Sequence, residues 1–174
     1  MADVLVINQP APDFALPAEN GEQISLAQFR HRTPVLVFFY PGDFTPVCTA
    51  EVCAFRDDYH QFRKRSVTIL GISSDRVERH KLFATECRVP FHLLSDEKMD
   101  VASRYGAKGL LGMRRSYYLI DRQGRLVWQH CEVLPIFKLS NQRILEVIDN
   151  LLKDTPSGVT EPSLTSGSPL PPHA

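Results

Sequence analysis

An uninterrupted apolar run at residues 35–40 stops at Pro41-Gly42, and Thr45-Pro46-Val47-Cys48 then opens a segment with apolar residues at Val52, Phe55, Tyr59 and Phe62. A strand that is apolar at every position has both faces covered, so a chain built around this run needs a sheet between two layers. The spacing of three, four and three that follows is that of an amphipathic helix, expected to run from Pro46 to the cations Arg63-Lys64-Arg65. Thr45 suits the N-cap, and Pro46 suits the first helical position, where its missing N–H has no helical partner. Cys48 is thereby placed in the first turn of the helix that leaves a central strand.

A thiol in that turn faces unpaired backbone N–H groups and the positive end of the helix dipole, both of which favour thiolate. Cys48 is therefore a candidate nucleophile. The competing reading, a small buried apolar residue, is the common one for an arbitrary cysteine, but this cap geometry at the end of a buried strand outweighs it. A second cysteine, Cys53, follows five residues later.

The block Pro41-Gly42-Asp43-Phe44-Thr45-Pro46-Val47-Cys48 resembles the peroxiredoxin active-site pattern P-x-x-x-T-x-x-C. Its continuation, Cys48-Thr49-Ala50-Glu51-Val52-Cys53, is similar to the peroxiredoxin Q or bacterioferritin comigratory protein subfamily. Related wording recurs at residues 91–96 and 115–121, so the likeness covers roughly residues 8–153.

The rest of the chain is compatible with an α/β unit. Residues 1–34 carry Pro10, Pro12, Pro17 and the turn cluster Glu19-Asn20-Gly21-Glu22, which resembles the family's N-terminal hairpin and short helix. Residues 67–73 read as a second buried strand, and Asp75 as the cap of a helix running towards Arg88 and closed by Pro90. A short strand at 91–94, a short helix at 98–105 ended by Gly106, and a hairpin formed by 117–121 and 125–130 follow. Ser140 caps a final helix with Ile144, Val147, Ile148, Leu151 and Leu152 on one face. Strands alternating with helices indicate α/β, and the resemblance narrows this to a thioredoxin-like fold with an N-terminal hairpin extension, in one domain at 1–154. Residues 155–174 are rich in proline and serine and poor in apolar groups, and are expected to be disordered. Without a basic neighbour they do not read as a proline-rich ligand.

Among 174 residues, 20 Lys and Arg balance 20 Asp and Glu, so no net charge draws the chain to nucleic acid or to an acidic membrane surface. No apolar run reaches the roughly 18 residues of a membrane span and no secretion signal opens the sequence, so the expected address is cytoplasmic. Four cysteines in that setting are more in keeping with reactive or reduced thiols than with structural bridges. There is no C-x-x-C pair and no histidine at i, i+4 from another, so neither a metal nor a cofactor is expected.

The resemblance implies an antioxidant thiol peroxidase acting on hydrogen peroxide and organic hydroperoxides. It assigns Pro41 to shielding the pocket, Thr45 to hydrogen-bonding the peroxide, Cys48 to attack on its O–O bond, and Arg115 to orienting and polarising both. Arg115 rather than Arg114 is chosen because the family arginine lies six residues before the aspartate of I-D, here Asp121. Glu51 matches the family's T-x-E-x-C and has either a hydrogen-bonding role near the cysteine or only that of a favourable charge in the first turn. Cys53 is the first candidate for the resolving thiol, Cys87 is the alternative, since some relatives carry that thiol in the next helix, and Cys131 reads as structural. On an intact helix five residues advance about 7.5 Å, beyond the ~6.8 Å limit of disulfide Cα separation, so a Cys48–Cys53 bridge requires the first turns to unwind. The implied reductant is thioredoxin or glutaredoxin. Without a late Val-Cys-Pro motif the chain is expected to be a monomer or weak dimer. A redox-coupled binding module or holdase of thioredoxin fold is the non-enzymatic alternative.

Overall fold

The computed structural model describes residues 5–134 and 136–152; the proline- and serine-rich segment 155–174 lies outside them. Strands β1 (Ala15–Pro17) and β2 (Gln23–Ser25) form an antiparallel hairpin, followed by a 3-10 turn at Leu26–Phe29. Next come β3 (Val35–Phe39), α1 (Pro46–Asp57), α2 (Tyr59–Lys64), β4 (Thr68–Ser73), α3 (Val77–Cys87), β5 (His92–Ser95) and α4 (Asp100–Arg104). A two-residue hairpin, β6 (Lys108–Gly109) with β7 (Gly112–Met113), precedes β8 (Ser116–Ile120), β9 (Leu126–Cys131) and α5 (Asn141–Leu151). The main sheet has the order β5-β4-β3-β8-β9; β3, β4 and β5 are mutually parallel, β8 runs antiparallel to β3, and β9 runs antiparallel to β8 and so in the direction of the first three. This is the thioredoxin-like arrangement with its N-terminal hairpin.

The wholly apolar run is central because both its faces are used. Val35, Val37 and Phe39 enter one core with Phe14, Ile24, Tyr105 and Tyr118; Leu36, Phe38 and Tyr40 enter the other with Phe55, Phe62, Phe83 and Ile148. Period-two alternation thus divides one strand between two hydrophobic layers. Gly71 on β4 faces the second of these layers at close quarters: a Cβ there would lie 2.7 Å from Phe38 Cζ and 2.8 Å from Leu93 Cδ2. Gly71→Ala is expected to cost about 1–3 kcal/mol through overpacking, read as a lower midpoint in thermal or urea melting. An unchanged midpoint would show that the Phe38 layer yields.

Several local expectations are corrected. The helix from Pro46 does not continue to Arg65; it breaks at Asp58 (φ −92°, ψ 5°), where the backbone N–H bonds back to Ala54 and Arg56 and the carboxylate accepts from Asn141 Nδ2 at 2.9 Å. The apolar pattern continues through this break, so periodicity alone does not mark it. Asp75 does not cap α3, whose N-cap is Arg76. Its carboxylate instead accepts from the Asp43 N–H and the Ser73 hydroxyl, each at 2.8 Å, and pairs with Arg79. Thr45 stands at the N-cap but makes no capping bond; its hydroxyl donates to the Gly42 carbonyl at 3.1 Å. Ser140 does cap α5, accepting from the Arg143 N–H, whereas Leu151 is exposed rather than on the buried face. No helix among the described residues is long and apolar enough to cross a membrane.

Candidate active site

Cys48 occupies the third position of α1, at the end of β3 where the chain turns off the sheet. Its side chain is turned inward and only 1% exposed. Across from it, Arg115, immediately before β8, is equally buried, and its Nη2 donates to the Cys48 Sγ at 3.2 Å. The other terminal nitrogen of this guanidinium forms an ion pair with Glu51, one turn along α1, and the second Glu51 oxygen accepts from the Tyr117 hydroxyl. Tyr117 in turn accepts from the Leu139 N–H at 3.1 Å, and burial pushes its own ionisation up to about 12, keeping it a proton donor to Glu51.

Two periodicities assemble this cluster. Cys48 and Glu51 share a helix face because they are three apart, and Arg115 and Tyr117 share a strand face because they are two apart. Arg114 lies on the other side, exposed, with its stem against Gly109. Tyr117 was not among the residues singled out from sequence, although its i+2 relation to Arg115 was the available signal. A cleft of about 690 Å³ opens beside the guanidinium, lined in part by Pro41, Met113, Arg115, Glu132 and Val133.

The loop from Pro41 to Thr45 is held by buried polar contacts that sequence reasoning also missed. Asp43, 1% exposed, accepts from the Tyr40 hydroxyl at 2.6 Å and lies 2.7 Å from His80 Nδ1, while its carbonyl accepts from Arg79. Burial and the adjacent Asp43 carboxylate push the Tyr40 hydroxyl well above its ordinary pKa. Phe44 takes a left-handed backbone, φ 62°, a conformation a non-glycine residue keeps only when its surroundings impose it. Those surroundings are the Phe83 ring, edge-on at 5.0 Å, and the Arg79 guanidinium, 5.1 Å above the Phe44 ring. The Tyr40-Pro41-Gly42-Asp43-Phe44-Thr45 turn is thus fastened to α3 on one side while it presents Cys48 on the other.

The remaining thiols lie elsewhere, and all four described cysteines are unbridged. Cys53 is on α1, about 140° around the helix from Cys48, since each residue turns about 100°. It is half-buried and packs beside Cys87 at the C-terminal end of α3. Cys131 is half-buried at the end of the edge strand β9, with its sulfur 3.8 Å from the Glu132 carbonyl.

Comparison with known proteins fits this arrangement. Residues 7–129 match the AhpC/TSA family. The chain is 39% identical over 137 residues to the putative peroxiredoxin bcp of Coxiella burnetii, covering 73% of this chain and 90% of that protein. It is 42% identical over 119 residues to the chloroplastic peroxiredoxin Q of Populus jackii, covering 67% of this chain but only 55% of the poplar protein. Among solved structures it resembles peroxidoxin BcpB of Mycobacterium tuberculosis, with a TM-score of 0.75 and 29% identity over 87% of this chain and 99% of that one.

Proposed function

The chain belongs to the AhpC/TSA family, in its peroxiredoxin Q and bcp branch, and from that membership we propose that it is a thiol-dependent peroxidase with Cys48 as the attacking thiol. The single observation that carries this reading is the Arg115 N–H aimed at the Cys48 sulfur in the first turn of α1.

An ordinary cysteine, with pKa ~8.5, is only a few per cent thiolate at pH 7, so full ionisation raises the rate about thirtyfold, roughly 2 kcal/mol of barrier. A fast peroxidase needs more, and the remainder comes from holding the peroxide and stabilising its departing oxygen. Arg115 supplies donors and charge for both tasks. Glu51, itself fixed by Tyr117, holds the guanidinium in place. Thr45, exposed at the N-cap three residues before Cys48, would offer its hydroxyl to a peroxide oxygen, and Pro41 lines the cleft.

In the first step the Cys48 thiolate attacks one peroxide oxygen, the O–O bond breaks, and the leaving oxygen takes a proton to depart as water or alcohol. Cys48 becomes a sulfenic acid. The Cys53 thiol then displaces the sulfenic hydroxyl as water, giving a Cys48–Cys53 disulfide. Since Cys53 points away from Cys48 on the intact helix, α1 must first unwind over its opening turns. A dithiol reductant of thioredoxin or glutaredoxin type restores both thiols, and the chain acts as a monomer or weak dimer without a cofactor.

The test is peroxide consumption with a thioredoxin-type donor. Saturable turnover of hydrogen peroxide and of an alkyl hydroperoxide is expected, and turnover no faster than that of free cysteine would remove the proposal. Amide exchange gives an independent reading: oxidation by one equivalent of peroxide should speed exchange across residues 45–56.

A further inference from the structure

Cys87 has no part in the cycle just described, yet it does not lie at random. α1 packs against α3, and Arg56, one turn beyond Cys53, donates from Nη1 to the Cys87 carbonyl at 2.8 Å. This bond crosses from one helix to the other and sets the end of α3 beside the Cys53 turn of α1. The two thiols are near enough to influence each other, with the Arg56 charge beside them. They share the apolar cluster under Phe55 and Phe91, with Cys53 half-buried at its edge.

We propose that Cys53 and Cys87 form a second dithiol, which takes over the disulfide from Cys48 by thiol exchange and returns Cys48 to its thiolate before any reductant arrives. The proposal rests on Cys53 being the resolving thiol. Cys87 gives up its proton to solvent, and its thiolate attacks the Cys53 sulfur of the Cys48–Cys53 bridge. A Cys53–Cys87 bond forms as the Cys48–Cys53 bond breaks, and the electron pair of the broken bond leaves on Cys48. No oxidant or reductant is consumed; the external dithiol then reduces Cys53–Cys87.

Two physical features drive the exchange forward. The Cys48–Cys53 bridge is incompatible with intact opening turns of α1, whereas a Cys53–Cys87 bridge joins neighbours of the folded state, so transfer lets the helix reform. The sulfur that leaves is the one that meets the Arg115 guanidinium once the helix has reformed, and that contact favours negative charge there.

The order of events is also set. Burial, then the neighbouring Cys53 thiol, push the Cys87 thiol up to about 11 in the reduced protein, so it is a poor nucleophile while Cys53 is free. Once Cys53 is bridged, it is no longer an ionisable neighbour. Transfer is accordingly slower than resolution, and its rate rises with pH through the neutral range, because the thiolate fraction grows about tenfold per pH unit below the pKa.

The experiment is time-resolved peptide mapping of the native chain after one equivalent of hydrogen peroxide, without reductant. A Cys48–Cys53 bridge should appear first and give way to Cys53–Cys87, with Cys48 again open to alkylation and exchange protection regained over residues 45–56. The native chain should then consume a second equivalent of peroxide, about twofold the uptake of Cys87→Ser, which should stop at Cys48–Cys53. If Cys48–Cys53 persists in the native chain while Cys87 remains alkylatable, the transfer is refuted and the peroxidase reading stands. If the product is Cys48–Cys87, or a lasting sulfenic acid, Cys53 is not the resolving thiol and the transfer falls with it. Mapping of the native chain decides between these outcomes even if Cys87→Ser does not fold.

Discussion

Cys48→Ser is expected to lower peroxide reduction by at least about two orders of magnitude, roughly 3 kcal/mol of barrier, while leaving the fold intact. The serine hydroxyl is close in size to the thiol and keeps an oxygen facing the Arg115 N–H, so the buried pocket stays filled and its donor stays partnered. It does not ionise near neutral pH and has no redox ladder to climb, so neither attack on the O–O bond nor a sulfenic acid is open to it. The checks are initial-rate peroxide consumption and a thermal melt on the same sample. Activity above a few per cent of the parent, with a melt like the parent's, would show that another thiol does the chemistry.

Arg115→Ala is expected to act on two observables at once. Removing the donor that faces Cys48 should slow oxidation by peroxide about 10²–10³-fold, the usual loss for one preorganised donor at a reacting oxygen. Removing the guanidinium also leaves Glu51, 2% exposed, with Tyr117 but without its counter-charge. Breaking a buried pair on one side costs about 3–5 kcal/mol. The two effects separate in the double variant Arg115→Ala with Glu51→Gln, which should recover much of the lost stability and none of the lost rate. Stopped-flow oxidation and urea melts read the two quantities, with Arg114→Ala as the comparison. A larger rate loss in Arg114→Ala than in Arg115→Ala would overturn the assignment.

The sequence made some of this legible and concealed the rest for physical reasons. The 35–40 run showed a strand covered on both faces because apolar periodicity is a local signal, and the sheet built on it has the helices and hairpin in the expected order. Strand alternation likewise put Arg114 and Arg115 on opposite sides. Interactions between distant residues left no such trace. Asp58, where the helix breaks, bonds to Asn141 eighty-three residues away, and Asp75 gives its carboxylate to the Asp43 loop instead of capping α3. The packing of Cys53 beside Cys87 depends on how two helices cross, which neither segment encodes alone.

The interruption at Asp58 also divides what would otherwise be one long cooperative unit. Helix propagation passes from each residue to the next through the i to i−4 ladder, so melting that starts at one end of an unbroken helix is free to travel along it. Here the ladder is interrupted between Asp57 and Tyr59, and α2 is anchored separately, by Phe62 in the core and by the Arg65 to Asp149 pair on α5. Unwinding of α1, as the proposed disulfide requires, is therefore expected to stop at this boundary and to leave the layer beneath it in shape. Under the proposed cycle, this boundary would let the reactive segment open and close repeatedly while the domain as a whole stays folded.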